Sequence, residues 1–173
     1  MFIDGGYLAR VLEKEFNGIK IDFGAFSNKI YKDVERLKTY YYYCMPYQSN
    51  PPTEEERKRY ATADRFMHAL KRLPRFEVRL GKLVYRDGEF TQKRVDVLLA
   101  VDLVRMSWDK QINRAILVTG DSDFVPPVLA ANEAGVLTIL YYSPNSCHDE
   151  LLETCGDKIK ITDKLLHSVM LKK

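Results

Sequence analysis

Short apolar runs alternate with helix-length amphipathic stretches along the whole chain, and this alternation is what most restricts the fold. Repeated βαβ units, a mainly parallel sheet and helices on both faces follow from it. Phe2-Ile3 reads as the first strand, followed by a helix to about Phe16, where Asn17-Gly18 supply a stop. A short helix is expected over residues 23–32, and the Leu37–Met45 run reads as the second strand. Thr53 and Glu56 have capping-box spacing for a long helix ended by Pro74. Residues 76–90 alternate in strand fashion, with turns at Gly81 and Asp87-Gly88.

The helix expected over 94–108 carries apolar side chains on most faces and so reads as largely buried. Strands at 115–118, 136–142 and 159–161 complete the pattern. Helices lie between and after them, the first with Pro126 and Pro127 in its opening turn and the next capped by Ser146 with Asp149. At 173 residues, 46% of them apolar and 29% charged, the chain is one ordinary domain over 1–173 and needs no disulfide staple. Cys44, Cys147 and Cys155 lack metal spacing and read as reduced thiols. No apolar run is long enough to span a membrane and the N-terminus lacks a secretory pattern, so a cytoplasmic protein without a membrane partner is expected.

The first strand runs straight into Asp4-Gly5-Gly6-Tyr7, and the strand at 115–118 into Thr119-Gly120-Asp121-Ser122-Asp123. Both place acids at a strand's carboxyl end, where open α/β sheets bind ligands if the two strands are neighbours at the reversal of strand order. Crowded carboxylates stay ionised when a cation neutralises them, and oxygen-only ligands select Mg²⁺ or Mn²⁺ over zinc. Capping of the following helix is the competing role, strongest for Asp123. Asp96 opens the apolar helix, where an unpaired carboxylate would cost several kcal/mol by order of magnitude. Asp102 lies about 120° around that helix from Asp96. It is expected to pair with Arg105 or a buried backbone group.

The segments FIDGGYL at 2–8, KRVDVLLAVDL at 93–103 and VTGDSDFVPPV at 118–128 resemble, in order, the signature segments of NYN domains, the LabA-like branch of the PIN-like nuclease superfamily. The resemblance implies a three-layer α/β/α fold with strand order 3-2-1-4-5. It also implies a Mg²⁺ or Mn²⁺ site at Asp4, Asp96, Asp121 and Asp123, and hydrolysis of RNA to 5′-phosphate products. Many members have Asn where this chain has Tyr7, whose hydroxyl is a candidate phosphate donor beside Thr119 and Ser122; simple helix packing competes for Tyr7.

Residues 71–94 hold eight bases against three acids, +5 in a chain of net +3, so a phosphate-binding face is expected there. Arg86, Lys93 and Arg94 are its candidate substrate contacts. Tyr40 to Tyr43 alternate across a strand, which favours packing beneath helices over stacking on unpaired bases. His68 and His167 lack a nucleophile partner. The expected function is a metal-dependent endoribonuclease acting on single-stranded RNA, with a homo-oligomer open. A non-catalytic RNA-binding module is the alternative. A haloacid-dehalogenase-type phosphatase is the weaker one, because Gly6 stands where its second aspartate belongs.

Overall fold

The computed structural model describes residues 1–31, 35–86, 89–93 and 95–171, with side chains described throughout except over 82–86 and 89–93. Along the chain run β1 (Phe2–Asp4), α1 (Gly5–Glu15), α2 (Phe23–Ile30), β2 (Thr39–Cys44), α3 (Glu54–Lys71), β3 (Phe76–Arg86), β4 (Glu89–Lys93) and α4 (Val95–Trp108). Then follow β5 (Arg114–Val118), a 3-10 turn (Ser122–Phe124), α5 (Val125–Glu133), β6 (Leu137–Tyr142), α6 (Asp149–Thr154), β7 (Asp157–Lys160) and α7 (Asp163–Ser168).

The strands form one sheet in the order β4-β3-β2-β1-β5-β6-β7, parallel except for the β3–β4 hairpin. Counting parallel strands only, the sheet begins 3-2-1-4-5 as expected, and β7 extends it by one more. β3 runs straight through Gly81, which pairs with Cys44, so no turn occurs there. The strand then continues five residues past the carboxyl end of β2 and pairs back onto β4, Lys82 opposite Lys93. A hairpin therefore stands off the carboxyl edge of the sheet.

Two apolar layers sandwich the strands. One holds Phe2, Tyr40, Tyr42 and Leu117 beneath Leu99, Leu103 and Met106 of α4 and Val128 of α5. The other holds Ile3, Tyr41, Ile116 and Val118 beneath Leu8 and Leu12 of α1 and Met67 and Leu70 of α3. Tyr40 and Tyr42 take one face and Tyr41 the other, by the two-residue strand period, and the rings of Phe2 and Tyr40 stack at 5.6 Å. These tyrosines are core residues rather than base platforms.

Local signals account for the helix starts. Thr53 and Glu56 exchange hydrogen bonds of 3.2 and 2.8 Å in the expected capping box. Ser146 departs from its expected role: α6 starts at Asp149 behind His148 with no side-chain cap. The Ser146 hydroxyl donates instead to Glu15 of α1, at 2.6 Å. α4 departs too. Its inner face is covered, but Val97 and Val101 are 63% and 55% exposed, because the helix forms an outer layer packed against the sheet, α5 and the 3-10 turn. Among the described residues no helix is long and apolar enough to cross a membrane.

Candidate active site

β1 lies between β2 and β5, so it is the strand from which the sheet is built outward in both directions. Ile3 pairs with Val118, which sets Asp4 beside Thr119 at the carboxyl ends of two neighbouring strands. The chain passes from β1 into α1 without a loop. Asp4 serves as N-cap, its Oδ1 accepting the Tyr7 N–H at 3.0 Å, while the buried Thr119 hydroxyl donates to Oδ2 at 3.5 Å. This abrupt turn needs Gly5, because a Cβ there would lie 2.6 Å from the Tyr41 ring.

On β5's side, Asp121 caps the 3-10 turn by accepting the Asp123 N–H at 3.0 Å. Asp121 and Asp123 are exposed, and so is Asp96 in the first turn of α4. Asp96 is therefore not an unpaired carboxylate enclosed by apolar side chains, as its place in an apolar helix led us to expect. The helix is uncovered at this end, and the residue reaches the site by its position at the sheet edge.

Like charge acts between some of these acids. Burial raises the Asp4 carboxyl above its ordinary range, and the Asp96 charge raises it further, against the Tyr7 and Gly6 N–H groups and Arg10, which lower it. Partial desolvation raises Asp96, and the Asp121 and Asp123 charges add to the rise. Asp4 and Asp121 line one hollow of about 350 Å³, together with Tyr7, Arg10 and residues 145–148. Asp96, Ser122 and Asp123 line a second of about 510 Å³, which Glu150 borders. Among the described residues no three His, Cys, Asp or Glu side chains are gathered closely enough to hold an ion as they stand. Asp4 is pinned by its two hydrogen bonds and Asp121 by its cap to the Asp123 N–H, whereas Asp96 and Asp123 stand exposed. The donor chemistry fits a hard divalent cation: four carboxylates and neighbouring hydroxyls, with like charges that a cation would reconcile.

The other expected contacts separate. Thr119 is wholly buried and orients Asp4 rather than reaching into solvent. Tyr7 is 5% exposed, and its hydroxyl accepts the Ser143 N–H at 2.9 Å, tying α1 to the end of β6. Burial pushes the Tyr7 hydroxyl up to about 12, so it stays protonated at neutral pH. The side chains of Arg86 and Lys93, and all of Arg94, lie outside the described residues; the backbone of the first two places them on the hairpin. Of the upstream bases, Arg79 is already paired with Glu77 and Asp102. His68 and His167 line neither hollow.

One wall of the first hollow escaped the sequence reading. The β6–α6 loop brings Asn145, Ser146, Cys147 and His148 beside Asp4 and Asp121. Glu15 holds this loop, accepting from the Ser143 hydroxyl, from Ser146 and, at 3.1 Å, from the Asn145 amide. Burial pushes the Glu15 carboxyl up, but these hydrogen bonds together outweigh it and hold it low. The loop was findable, since it follows a strand's carboxyl end as the two aspartate loops do.

Asp102 is structural, as expected. It is buried, accepts the Tyr42 hydroxyl at 2.9 Å, and meets Arg79 and Arg105 at 3.4 Å each. Asp102→Ala leaves a buried hydroxyl and two guanidinium groups short of a partner, which should destabilise by about 3 kcal/mol. That corresponds to a Tm lower by roughly 6–12 °C for a domain of this size. A melt within a degree of wild type would show that the cluster is dispensable.

Open, doubly wound α/β domains bind their ligands outside the carboxyl ends of the strands where the order reverses, and Asp4 and Asp121 stand there. The chain belongs to the NYN domain family, which matches residues 1–162. NYN domains form part of the PIN-like nuclease superfamily, whose members are generally nucleases and typically use divalent metals. A protein of unknown function from Vibrio parahaemolyticus has a similar structure, with a TM-score of 0.73 and 20% identity over 98% of this chain and 93% of that one. At that identity the likeness bears on the fold alone. No curated protein matches the chain.

Proposed function

We propose that the protein is a LabA-like, metal-dependent endoribonuclease of the cytoplasm that cleaves single-stranded RNA, with Mg²⁺ or Mn²⁺ held by Asp4, Asp96, Asp121 and Asp123. The observation that supports this reading is the set of acids at the carboxyl edge of the sheet, Asp4 and Asp121 lining one hollow and Asp96 and Asp123 a second. When bound, the ion supplies a Lewis acid for the phosphate and an acidified water for attack.

The chain's own residues do the rest. Asp4 is the fixed point, held by the Tyr7 amide and Thr119. Arg10, exposed on α1 in the first hollow, offers a cation to phosphate. Ser122, in the second hollow, offers a hydroxyl beside Asp123. Tyr7 positions the wall of the hollow through Ser143, and its protonated hydroxyl retains a donor for a phosphate oxygen. No protein nucleophile is required.

Labelled single-stranded RNA incubated with the protein and Mn²⁺ should be cut, and EDTA should stop the cutting. Binding without cleavage under both conditions would instead establish a non-catalytic RNA-binding module, and phosphate release from small esters a phosphatase.

The basic hairpin supports an approach path for the strand. Converting Arg86, Lys93 and Arg94 to alanine should weaken RNA binding and reduce the slope of log affinity against log salt by about 2, since each single-strand phosphate contact contributes roughly 0.7. An unchanged slope would make the hairpin an ordinary solvated surface.

A further inference from the structure

The β6–α6 loop is held more firmly than a surface loop requires. The Tyr7 hydroxyl accepts the Ser143 N–H, and Glu15 accepts from the Ser143 and Ser146 hydroxyls and the Asn145 amide. The His148 N–H donates to the Gly120 carbonyl at 3.0 Å, one residue before Asp121. The loop lies so close to Gly120 that a Cβ there would stand 2.0 Å from the Ser146 carbonyl oxygen. What this fixed backbone presents is the His148 side chain, which is exposed and lines the hollow of Asp4 and Asp121. His148 precedes α6 without capping it, and among the described residues its ring has no hydrogen-bond or ion-pair partner. A side chain with no structural task, on a backbone held this rigidly beside the acids, is preorganised for a ligand.

We propose that His148 is a further catalytic residue, the acid that protonates the 3′ oxygen leaving the cut phosphodiester. This rests on the nuclease reading, in which the phosphate stays on the 5′ side of the product. Water forms a bond to phosphorus, the bond from phosphorus to the 3′ oxygen breaks, and its electron pair takes a proton from the His148 ring. The surplus proton of the water goes to solvent and solvent recharges the ring, so protons balance over a turnover. No other side chain of this hollow suits the task. Asp4 and Asp121 are committed to the cation in this reading, and a guanidinium such as that of Arg10 does not release its proton. The Ser146 hydroxyl is engaged with Glu15. Burial pushes the Tyr7 hydroxyl up to about 12 and the Cys147 thiol up to about 11, too weakly acidic to serve well near neutrality. Histidine is the residue type that both holds and gives up a proton in that range.

His148→Ala should cut single-stranded RNA in Mn²⁺ about a hundredfold more slowly than wild type, or worse, as expected for loss of a positioned acid. The deficit should shrink to about fivefold or less on RNA with sulfur in place of the 3′ oxygen at the cut bond, because a thiolate is a weak enough base to leave without a proton. His68→Ala and His167→Ala, away from both hollows, should cut both substrates as wild type does. His148→Ala changes an exposed side chain, so its melting temperature should stay within about two degrees of wild type. Equal losses on the oxygen and sulfur substrates would make the ring a phosphate contact and overturn the proton transfer. Wild-type rates from His148→Ala would overturn any catalytic role for the ring while leaving the nuclease reading in place. A wild-type protein that cuts neither substrate would overturn the nuclease reading and this proposal with it.

Discussion

Asp121→Asn should reduce RNA cleavage by about a thousandfold or more while the protein remains folded. A carboxylate that helps hold a catalytic divalent ion contributes several kcal/mol to stabilising the charge on the phosphate in flight, and about 4 kcal/mol corresponds to a thousandfold in rate. The structural role of Asp121 survives the change. Its side chain caps the 3-10 turn through the Asp123 N–H, and asparagine caps about as well as aspartate. Removing one charge beside Asp96 relieves a repulsion, so in EDTA the mutant should melt at or above the wild-type temperature. Mn²⁺ should then stabilise wild type more than mutant, because a ligand stabilises only through its affinity for the folded state. Melts with and without Mn²⁺, run beside the cleavage assay, test both halves. A mutant that melts several degrees lower in EDTA would show that the Asp121 charge stabilises the metal-free fold, and would remove it from the ligand set.

Gly120→Ala should be the most damaging single-methyl change in the site. Its Cβ would lie 2.0 Å from the Ser146 carbonyl oxygen, 2.6 Å from the Tyr7 ring and 3.0 Å from the Cys147 Cα. Two of these are backbone atoms of the β6–α6 loop. That loop is also anchored by the His148 N–H to the Gly120 carbonyl at 3.0 Å and by the hydrogen bonds of its hydroxyl and amide side chains to Glu15. No flexible side-chain end can give way, so the loop must shift as a unit. Overpacking of this kind destabilises by about 3 kcal/mol, or roughly 6–12 °C in Tm. It should also move the wall of the hollow away from Asp4 and Asp121, so cleavage should fall even in molecules that remain folded. A Tm within two degrees of wild type, by thermal melt, would show that the loop is looser than its hydrogen bonds imply.

Much of this molecule was legible in the chain. Strand and helix periods located the helices and the parallel strands, though not the run of β3 through Gly81, because burial on a sheet face or a helix stripe forces apolar residues to recur at two or about 3.6 positions. The capping box at Thr53 and Glu56 and the core placement of Tyr40, Tyr41 and Tyr42 followed from local chemistry alone. Asp4 and Asp121 could be placed at one edge because each directly follows a strand, and parallel strands end on the same side. The Asp102 pairing was likewise readable from its angle on the helix and its distance of three residues from Arg105.

Other features had no local signature. Ser146 looked like a helix cap and turned out to bind Glu15, 131 residues away. The Tyr7 hydroxyl accepts from Ser143, 136 residues distant, a contact that no local pattern announces. The apolar pattern of α4 identified a helix without saying which of its two apolar sides the sheet would cover. Asp96 owes its exposure to that choice. Periodicity and capping depend on residues within a turn or two, so the sequence alone determined the elements and the end of the sheet at which the acids gather. Which loops, helix faces and distant side chains meet there depends on how layers stack and chains cross, and only the tertiary structure decided it.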